Sequence, residues 1–185
     1  MGRGMARNLH KARLLRAVWN RTTTRADELA AELGVIAAAN PAALARDCDV
    51  IVLCVAADAD VLAVVDALLP GLRAGALVID CSTVSADTAR EAARRLAARG
   101  GEFLDAPVSG GVEGARDGTL AIMAGGTESA FARAQPVLQA MGRTVTHFGP
   151  SGSGQAAKAT NQIMCAGVIQ AVAEAMAFAK SQGLP

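Results

Sequence analysis

The strongest constraint on the fold of this sequence is the alternation of short, continuously apolar runs with segments of helical periodicity. The runs "DVIVLCV", "ALVIDCST" and "LAIMAGG" are bounded by polar residues or glycines, as is typical of strands buried on both faces. Between them, segments such as "SADTAREAARRLAARGG" repeat apolar residues at helical spacing. Repeated strand–helix units predict an α/β fold, a Rossmann-like doubly wound, mainly parallel sheet with helices on both faces.

Local signals place several element boundaries. The run "LLRAVWN" predicts a strand over residues 14–20, and the next helix should end at Gly34. Asn40 and Pro41 have the residue types of a helix N-cap and first helical position. The segment "DAPVSGG" reads as a strand that leads into a glycine turn at residues 109–111.

A different pattern begins at Gly152. The segment "GSGQAAKATNQIMCAGVIQAVAEAMAFAKSQG" contains no helix breaker after Gly154 apart from a tolerated Gly167. Roughly thirty helical residues would span ~45 Å, and much of the circumference is apolar and needs a covering surface. We therefore predict a sheet domain in residues 1–150. Residues 151–185 should form an inter-domain helix, the start of an all-α second domain that is truncated in this chain.

Composition excludes several classes of function. The 18 basic and 17 acidic residues give a net charge of +1, and aromatic residues make up only 3% of the chain. That balance gives no electrostatic or stacking basis for binding nucleic acid. The four cysteines form no CxxC pair, and His10 and His147 lack metal-ligand spacing, so no metal is expected.

No targeting or membrane segment is expected either. The first ten residues are polar and basic, without the apolar core of a signal peptide. The apolar stretch at residues 163–179 contains Gln170 and Glu174, which argues against a membrane span. A cytoplasmic location is therefore predicted.

The opening "MGRGMARNLHKA" has the form of the second half of a dinucleotide-binding turn. In such folds a strand enters a G-x-G-x-x-G turn that leads into a helix. Gly2 would be the third glycine, and the first strand and first two glycines would lie upstream of Met1. A lone glycine is a weak signal and is equally compatible with an ordinary helix start.

The end of the next predicted strand suggests which cofactor would bind. An acidic residue at this position would hydrogen-bond the free 2′-hydroxyl of NAD. Asn20, Arg21 and Thr22 instead offer one cation and two short polar side chains, which suit a 2′-phosphate. NADP(H) is therefore favoured over NAD(H), the alternative being an ordinary polar strand end with a solvated arginine.

Three later segments make a family resemblance specific. "DAPVSGG", "GTLAIMAGG" and "GSGQAAKATNQ", together with "MGRGMARNL" and "VWNRT" in this order, resemble the β-hydroxyacid dehydrogenase family. That family includes 3-hydroxyisobutyrate dehydrogenase and tartronate semialdehyde (2-hydroxy-3-oxopropionate) reductase. The resemblance covers the whole chain. It implies hydride transfer between NAD(P) and a small β-hydroxyacid or its semialdehyde or ketoacid.

The resemblance also implies roles for five residues at the substrate. Lys158 would be the proton donor and acceptor, a role that lysine chemistry allows. Asn161 would contact the substrate hydroxyl from the same helix face. Ser109, Gly110 and Gly111 would bind the substrate acid through a hydroxyl and backbone N–H groups. Without the flanking motifs, Lys158 would read as a solvated surface group and Ser109 as a turn residue.

Further cofactor contacts follow from the same resemblance. Met1 and Gly2 would lie at the pyrophosphate, and Thr83 in "DCST" would lie at the nicotinamide end. Cys54 and Val55 would run beneath the cofactor. The family often continues this strand with a proline, whereas this chain continues with "AAD".

Three interpretations of function remain open at this stage. The chain could serve an oxidoreductase, a non-catalytic nucleotide-binding or scaffold protein, or an inactive fragment of such a dehydrogenase. Lys158 favours the enzyme, because a scaffold has little use for a lysine in "K-x-x-N-Q". A homo-oligomer, a dimer or tetramer, is expected because the apolar helix needs covering. The sequence does not identify the hydroxyacid.

Overall fold

The structure, a computed structural model, describes residues 1–184 as an α/β fold with eight strands and eight α-helices. The strands are β1 Ala17–Val18, β2 Ile36–Ala37, β3 Val50–Leu53, β4 Leu77–Asp80, β5 Glu102–Asp105, β6 Val108–Ser109, β7 Leu120–Ala124 and β8 Gly142–His147. The helices are α1 Gly2–Lys11, α2 Thr23–Leu33, α3 Pro41–Asp47, α4 Asp58–Leu68, α5 Ala86–Ala97, α6 Gly111–Asp117, α7 Glu128–Met141 and α8 Ser153–Ser181. This order confirms the predicted α/β class.

The strands pair mainly in parallel, as predicted, within three sheets. Strands β3, β4 and β5 form the central parallel sheet, and β1 pairs in parallel with β2. In the third sheet β7 is parallel to β8 and antiparallel to β6. An isolated bridge between Asp105 and Gly125 joins β5 to the end of β7. The carboxyl end of β5 therefore lies where two sheets meet.

Alternate residues of β4 and β5 explain why helices cover both faces of the central sheet. Leu77 and Ile79 pack into one apolar cluster with residues of α1 and α7. Val78 and Phe103 pack into a second cluster with residues of α4 and α5. All four residues of β4 are buried, as expected for a central parallel strand. The doubly wound arrangement is thus built by the alternation of side chains along two strands.

Two predicted helix boundaries are confirmed. Gly34 ends α2 in the left-handed conformation, with φ of 66°. The Asn40 side chain accepts a hydrogen bond from the Ala43 N–H at 2.8 Å, and Pro41 is the first residue of α3. At Gly34 the backbone freedom of glycine favours the boundary, and at Asn40 and Pro41 the side chains do.

One local prediction needs correction, and two elements were not predicted. The strand predicted over residues 14–20 is only Ala17–Val18, because the Leu14 N–H donates to the Leu9 carbonyl and so belongs to the end of α1. Strand β2 was not expected. The glycine turn at residues 109–111 leads directly into α6. This helix was not predicted because the glycines of "GGVEGARDG" are typical of a loop.

Helix α8 changes character along its length. Gly154, Gln155 and Lys158 are buried, whereas the later turns expose large apolar side chains. Those exposed residues are Ile163, Met164, Val168, Ile169, Val172, Met176 and Phe178. Within the described part of the chain, α8 is the one helix long and apolar enough to cross a membrane, by length and composition alone.

One residue at the end of α1 adopts an unfavourable backbone conformation. Arg13 has φ of 60°, the one positive φ at a residue other than glycine in residues 1–184. The left-handed region costs a residue other than glycine roughly 1–2 kcal/mol. Glycine avoids this cost, but the greater freedom of its unfolded chain cancels part of the gain. We expect Arg13→Gly to raise the free energy of unfolding by about 0.5–1 kcal/mol in denaturant titrations.

Arg16→Gly is the matched control, because Arg16 is also exposed but has no positive φ. It should lower the free energy of unfolding instead. Equal effects of the two substitutions would show that the Arg13 backbone conformation carries no strain.

Candidate active site

The loops that follow β3 and β4 are tied together at the carboxyl edge of the central sheet. The Val55 N–H donates to the Ser82 hydroxyl at 2.9 Å. The Ser82 N–H donates to Oδ1 of Asp80, the last residue of β4, also at 2.9 Å. Predicted cofactor residue Val55 and the "DCST" segment are therefore held side by side.

Asp105 anchors the start of α8 to the end of β5. Its carboxylate is fully buried and accepts hydrogen bonds from the Gly152 N–H at 2.7 Å and the Gln155 N–H at 3.0 Å. A carboxylate at a helix N-terminus also interacts favourably with the helix dipole. Burial raises the pKa of Asp105, and the backbone N–H groups of Gly152, Gln155 and Gly154 oppose that rise.

Two glycines allow α8 to begin this close to the sheet. A Cβ on Gly154 would lie 2.3 Å from the Met123 carbonyl oxygen, which is sterically impossible. A Cβ on Gly125 would lie 2.6 Å from the Gly154 nitrogen. Backbone contact between α8, β7 and β5 therefore fixes the first turn of the helix.

Gln155 joins that helix to the loop after β4. Its side chain is buried, its Oε1 accepts from the Val84 N–H at 3.1 Å, and its Nε2 donates to the Ser82 carbonyl at 2.9 Å. Predicted cofactor residue Thr83 lies between these two partners, and its own side chain is exposed. The structure thus brings the Thr83 loop and α8 together.

Lys158 follows Gln155 by one helical turn and is only 8% exposed. Within residues 1–184 its ammonium makes no hydrogen bond or ion pair. Asn161 lies on the next turn, half-buried, and its Nδ2 donates to Oε1 of Gln162 at 3.3 Å. The residue as a whole is largely buried, but its ammonium keeps contact with solvent, so without a protein partner its protons are available to a ligand.

The predicted acid-binding residues lie beside the first half of β7. Ser109 ends β6 opposite Ala121, and Gly110 and Gly111 begin α6 with φ of 130° and 66°. Those positive φ values favour glycine and turn the chain sharply after Ser109. No hydrogen bond joins this segment to Lys158 in the part of the chain that the structure describes.

The start of α1 lies against the end of β3. Met1 is the N-cap residue of α1, and a Cβ on Gly2 would lie 3.7 Å from Cβ of Cys54. The first turn of α1 contains no acidic residue and no capping side chain, so its N–H groups suit an anionic group such as a pyrophosphate. The contact that excludes a side chain lies at Gly4, where a Cβ would lie 2.7 Å from the Ala115 carbonyl oxygen.

The residues after β1 lie at the same edge. Oδ1 of Asn20 accepts from the Thr22 N–H at 2.9 Å, which forms a tight turn before α2. The Arg21 guanidinium pairs with Asp60 of α4 at 3.0 Å, while its side chain remains 83% exposed. Residues 20–22 thus contain one exposed cation and no carboxylate. Such residues fit the 2′-phosphate of an NADP ribose.

Asp80 carries the one side-chain nitrogen or oxygen among the described residues that is both fully buried and without a hydrogen-bond partner. Its Oδ2 has no hydrogen-bond partner, and Asp80 lies directly opposite Asp105 in the sheet register. Burial, and to a lesser extent the Asp105 charge, raise the pKa of Asp80 to about 6, although Ser82 opposes this. Asp58, at the start of α4, is the reverse case: the Thr88 hydroxyl and backbone hydrogen bonds lower its pKa to about 2.

Three residues with clear structural roles were not predicted as site residues. Asp80 bonds locally to the Ser82 N–H, whereas Asp105 bonds a residue 47 positions away and Gln155 bonds residues 71 and 73 positions away. The available signal was position: the two aspartates end apolar runs, and a glutamine lies inside "GSGQ". In residues 1–184 no group of three His, Cys, Asp or Glu side chains could hold a metal ion.

Comparison with known proteins places these motifs in a family. Residues 1–149 match the NAD binding domain of 6-phosphogluconate dehydrogenase, and residues 152–185 match the NAD-binding segment of NADP-dependent 3-hydroxyisobutyrate dehydrogenase. The chain belongs to the β-hydroxyacid dehydrogenase family. As a member it contains a nicotinamide-cofactor binding domain of the Rossmann-like type.

Several members of the family match over the whole chain. The mitochondrial 3-hydroxyisobutyrate dehydrogenase of Drosophila melanogaster and an NAD-dependent L-serine dehydrogenase of Pseudomonas aeruginosa are each 40% identical to it. A structure of Mycobacterium tuberculosis 3-hydroxyisobutyrate dehydrogenase with L-serine superimposes with a TM-score of 0.94 at 38% identity. The chain spans 57%, 62% and 63% of these three proteins, respectively.

The buried Asp80 carboxyl should make stability depend on pH. The folded pKa of Asp80, about 6, exceeds the unfolded value of ~3.9. Its contribution to the free energy of unfolding is therefore complete below pH 4 and is lost as the pH rises through 6. We expect Asp80→Asn to raise the free energy of unfolding at pH 7.5 by on the order of 2 kcal/mol, with no gain at pH 4. Denaturant titrations at the two pH values measure this.

Asp27→Asn removes an exposed carboxyl on α2 and is the control. It should not reproduce the pH-dependent gain. A loss of stability at pH 7.5 in Asp80→Asn would mean that the ionised carboxylate is stabilising, contrary to this interpretation.

Proposed function

We propose that this chain serves an NADP(H)-preferring oxidoreductase that interconverts a small β-hydroxyacid and its semialdehyde or ketoacid. The observation that carries this proposal is Lys158. It is 8% exposed and unpaired within the described residues, on a helix tied to the predicted nicotinamide loop. Family membership supports the reaction class, and the hydroxyl and backbone N–H groups of the "VSGG" segment are donors that suit a carboxylate substrate.

The proposed roles follow from the chemistry of each side chain. When bound, the nicotinamide cofactor supplies or accepts the hydride. Lys158 Nζ donates a proton to the substrate oxygen in reduction and accepts it in oxidation. Asn161 orients the substrate hydroxyl from the next turn of α8. The Ser109 hydroxyl and the N–H groups of Gly110 and Gly111 hold the substrate carboxylate.

The proposed cofactor contacts lie along one edge of the sheet. The first turn of α1, at Met1 and Gly2, would receive the pyrophosphate, and Arg21 would pair with the 2′-phosphate. Asn20 and Thr22 would add hydrogen bonds at the ribose. Cys54, Val55 and Thr83 would lie along the rest of the cofactor, towards the nicotinamide.

We extend the proposal to the setting of the enzyme. We infer a cytoplasmic protein that binds a small hydroxyacid or semialdehyde rather than nucleic acid or membrane. A homo-oligomer, dimer or tetramer, would cover the exposed apolar side chains of α8. The division into a cofactor domain at residues 1–150 and an inter-domain helix at residues 151–185 stays a prediction.

Replacing Lys158 should separate activity from stability. We expect Lys158→Met to lower kcat by about 10²–10⁴-fold, because the proton donor is lost. The free energy of unfolding should stay level or rise by about 1 kcal/mol, because a poorly solvated ammonium is replaced by an apolar side chain. Steady-state kinetics with 3-hydroxyisobutyrate and related hydroxyacids, and denaturant titration, measure the two effects.

Lys180→Met is the matched control, since Lys180 is exposed on the same helix. It should leave both quantities unchanged. Full activity of Lys158→Met would exclude the proposed acid–base role.

Replacing Arg21 should change cofactor preference. We expect Arg21→Ala to weaken NADPH binding about tenfold and to leave NADH binding within about twofold, because a charge-assisted contact to the 2′-phosphate is lost. Parallel fluorescence titrations with NADPH and NADH measure both affinities. Arg25→Ala, an exposed arginine further along α2, is the control. Equal weakening of both cofactors, or of neither, would contradict the assignment.

A further inference from the structure

We propose that Gln155 is a positioning residue that sets the placement of the Thr83 loop relative to Lys158. This inference rests on the proposed function, because it assigns Thr83 to the cofactor and Lys158 to the proton. Gln155 itself touches neither reacting partner. Its side chain bonds only to backbone groups of the chain, and its own N–H donates to the Asp105 carboxylate.

Gln155 holds the loop on both sides of Thr83. Its Oε1 accepts from the Val84 N–H and its Nε2 donates to the Ser82 carbonyl, at 3.1 and 2.9 Å. Both bonds are shielded from water because the side chain is 3% exposed. Two bonds on flanking residues restrain the backbone of Thr83 itself, while its side chain stays exposed to a ligand.

The other end of Gln155 is equally fixed. Its own N–H donates to Oδ2 of Asp105, and the preceding Gly154 is in backbone contact with β7. The helix start therefore cannot shift without breaking the Asp105 contacts. The Gln155 side chain reaches from this fixed point to the loop. The position of the Thr83 loop is therefore set by the start of α8.

An amide is the side chain that this arrangement requires. It provides an acceptor for one backbone N–H and a donor for one backbone carbonyl at the same time. A carboxylate would lose the donor and would add charge beside the buried Asp80 and Asp105. A thioether of similar length would leave both backbone groups unpaired.

The consequence concerns hydride-transfer geometry. Reacting atoms must be held about 3–3.5 Å apart, and a displacement of about 1 Å can cost on the order of 100-fold in rate. A loop released from α8 would misplace the nicotinamide end of the cofactor relative to a substrate bound at Lys158. Binding of substrate and cofactor would change less than the rate of the chemical step.

The first test is kinetic and uses Gln155→Met. We expect kcat per active site to fall on the order of 10–100-fold, with substrate KM within about threefold. The primary deuterium isotope effect on kcat, measured with nicotinamide deuterated at the transferred position, should rise because hydride transfer becomes slower than product release. A purely structural role would lower the fraction of active protein and leave the isotope effect unchanged, which would overturn the proposal.

The second test needs no turnover. Hydrogen exchange of the Val84 amide, in protein without cofactor, should be at least tenfold faster in Gln155→Met. Gln139→Met is the control, since Gln139 is exposed on α7 and bonds only to Gln135; it should leave exchange and kinetics unchanged. Unchanged Val84 exchange in Gln155→Met would overturn the proposal whatever the kinetics show.

A third variant separates the two contacts of the Gln155 side chain. Gln155→Glu keeps the acceptor for the Val84 N–H and loses the donor to Ser82, so intermediate exchange and an intermediate kcat are expected. Wild-type kinetics separate the two hypotheses. Absence of nicotinamide-dependent turnover in wild-type protein would reject the proposed function, whereas Val84 exchange reports on the Gln155 contacts independently.

Discussion

The arrangement of the site depends on one buried interaction, the capping of α8 by Asp105. A fully buried carboxylate is tolerated here because backbone N–H groups of Gly152 and Gln155 bond to it at a helix N-terminus. The bridge to Gly125 brings β7 to the same point. Where α8 begins is thus determined by the end of β5, and the positions of Gln155 and Lys158 follow from helical geometry. Removing those N–H donors would leave the Asp105 charge uncompensated and the helix start free.

The neighbouring Asp80 shows that environment, and not residue type, decides the charge state at this edge. Asp80 and Asp105 lie opposite each other on adjacent strands, and both are fully buried. Asp105 has its backbone donors, whereas Asp80 has one satisfied oxygen and one unsatisfied oxygen, and its pKa rises to about 6. Below that pH the edge carries one fewer negative charge. Two adjacent ionised carboxylates repel each other, so the edge must bear that repulsion once the pH rises above about 6 and Asp80 ionises.

The sequence predicted what depends on local chemistry and missed what depends on distant contacts. Alternation of apolar runs was sufficient for the α/β class, and the caps at Gly34 and Asn40 follow from their own side chains and backbone. Helix α6 was missed because its glycines, which resemble a turn, permit close packing against Leu120. The motif containing Lys158 identified the family. It could not reveal the Gln155 contacts, because partners 71 and 73 residues away leave no signal in local spacing.

Helix α8 connects the buried site residues at its start with exposed apolar turns far from the sheet. Its first turns are buried and polar, and its later turns expose apolar side chains such as Ile169 and Met176. A continuous helix rises 1.5 Å per residue, so Met176 lies about 27 Å along the axis from Lys158. Any surface that covers those apolar turns would contact the same continuous helix that carries Lys158 and Asn161. Because Gln155 connects this helix to the Thr83 loop, displacement of the distal turns would move Lys158 and the loop together.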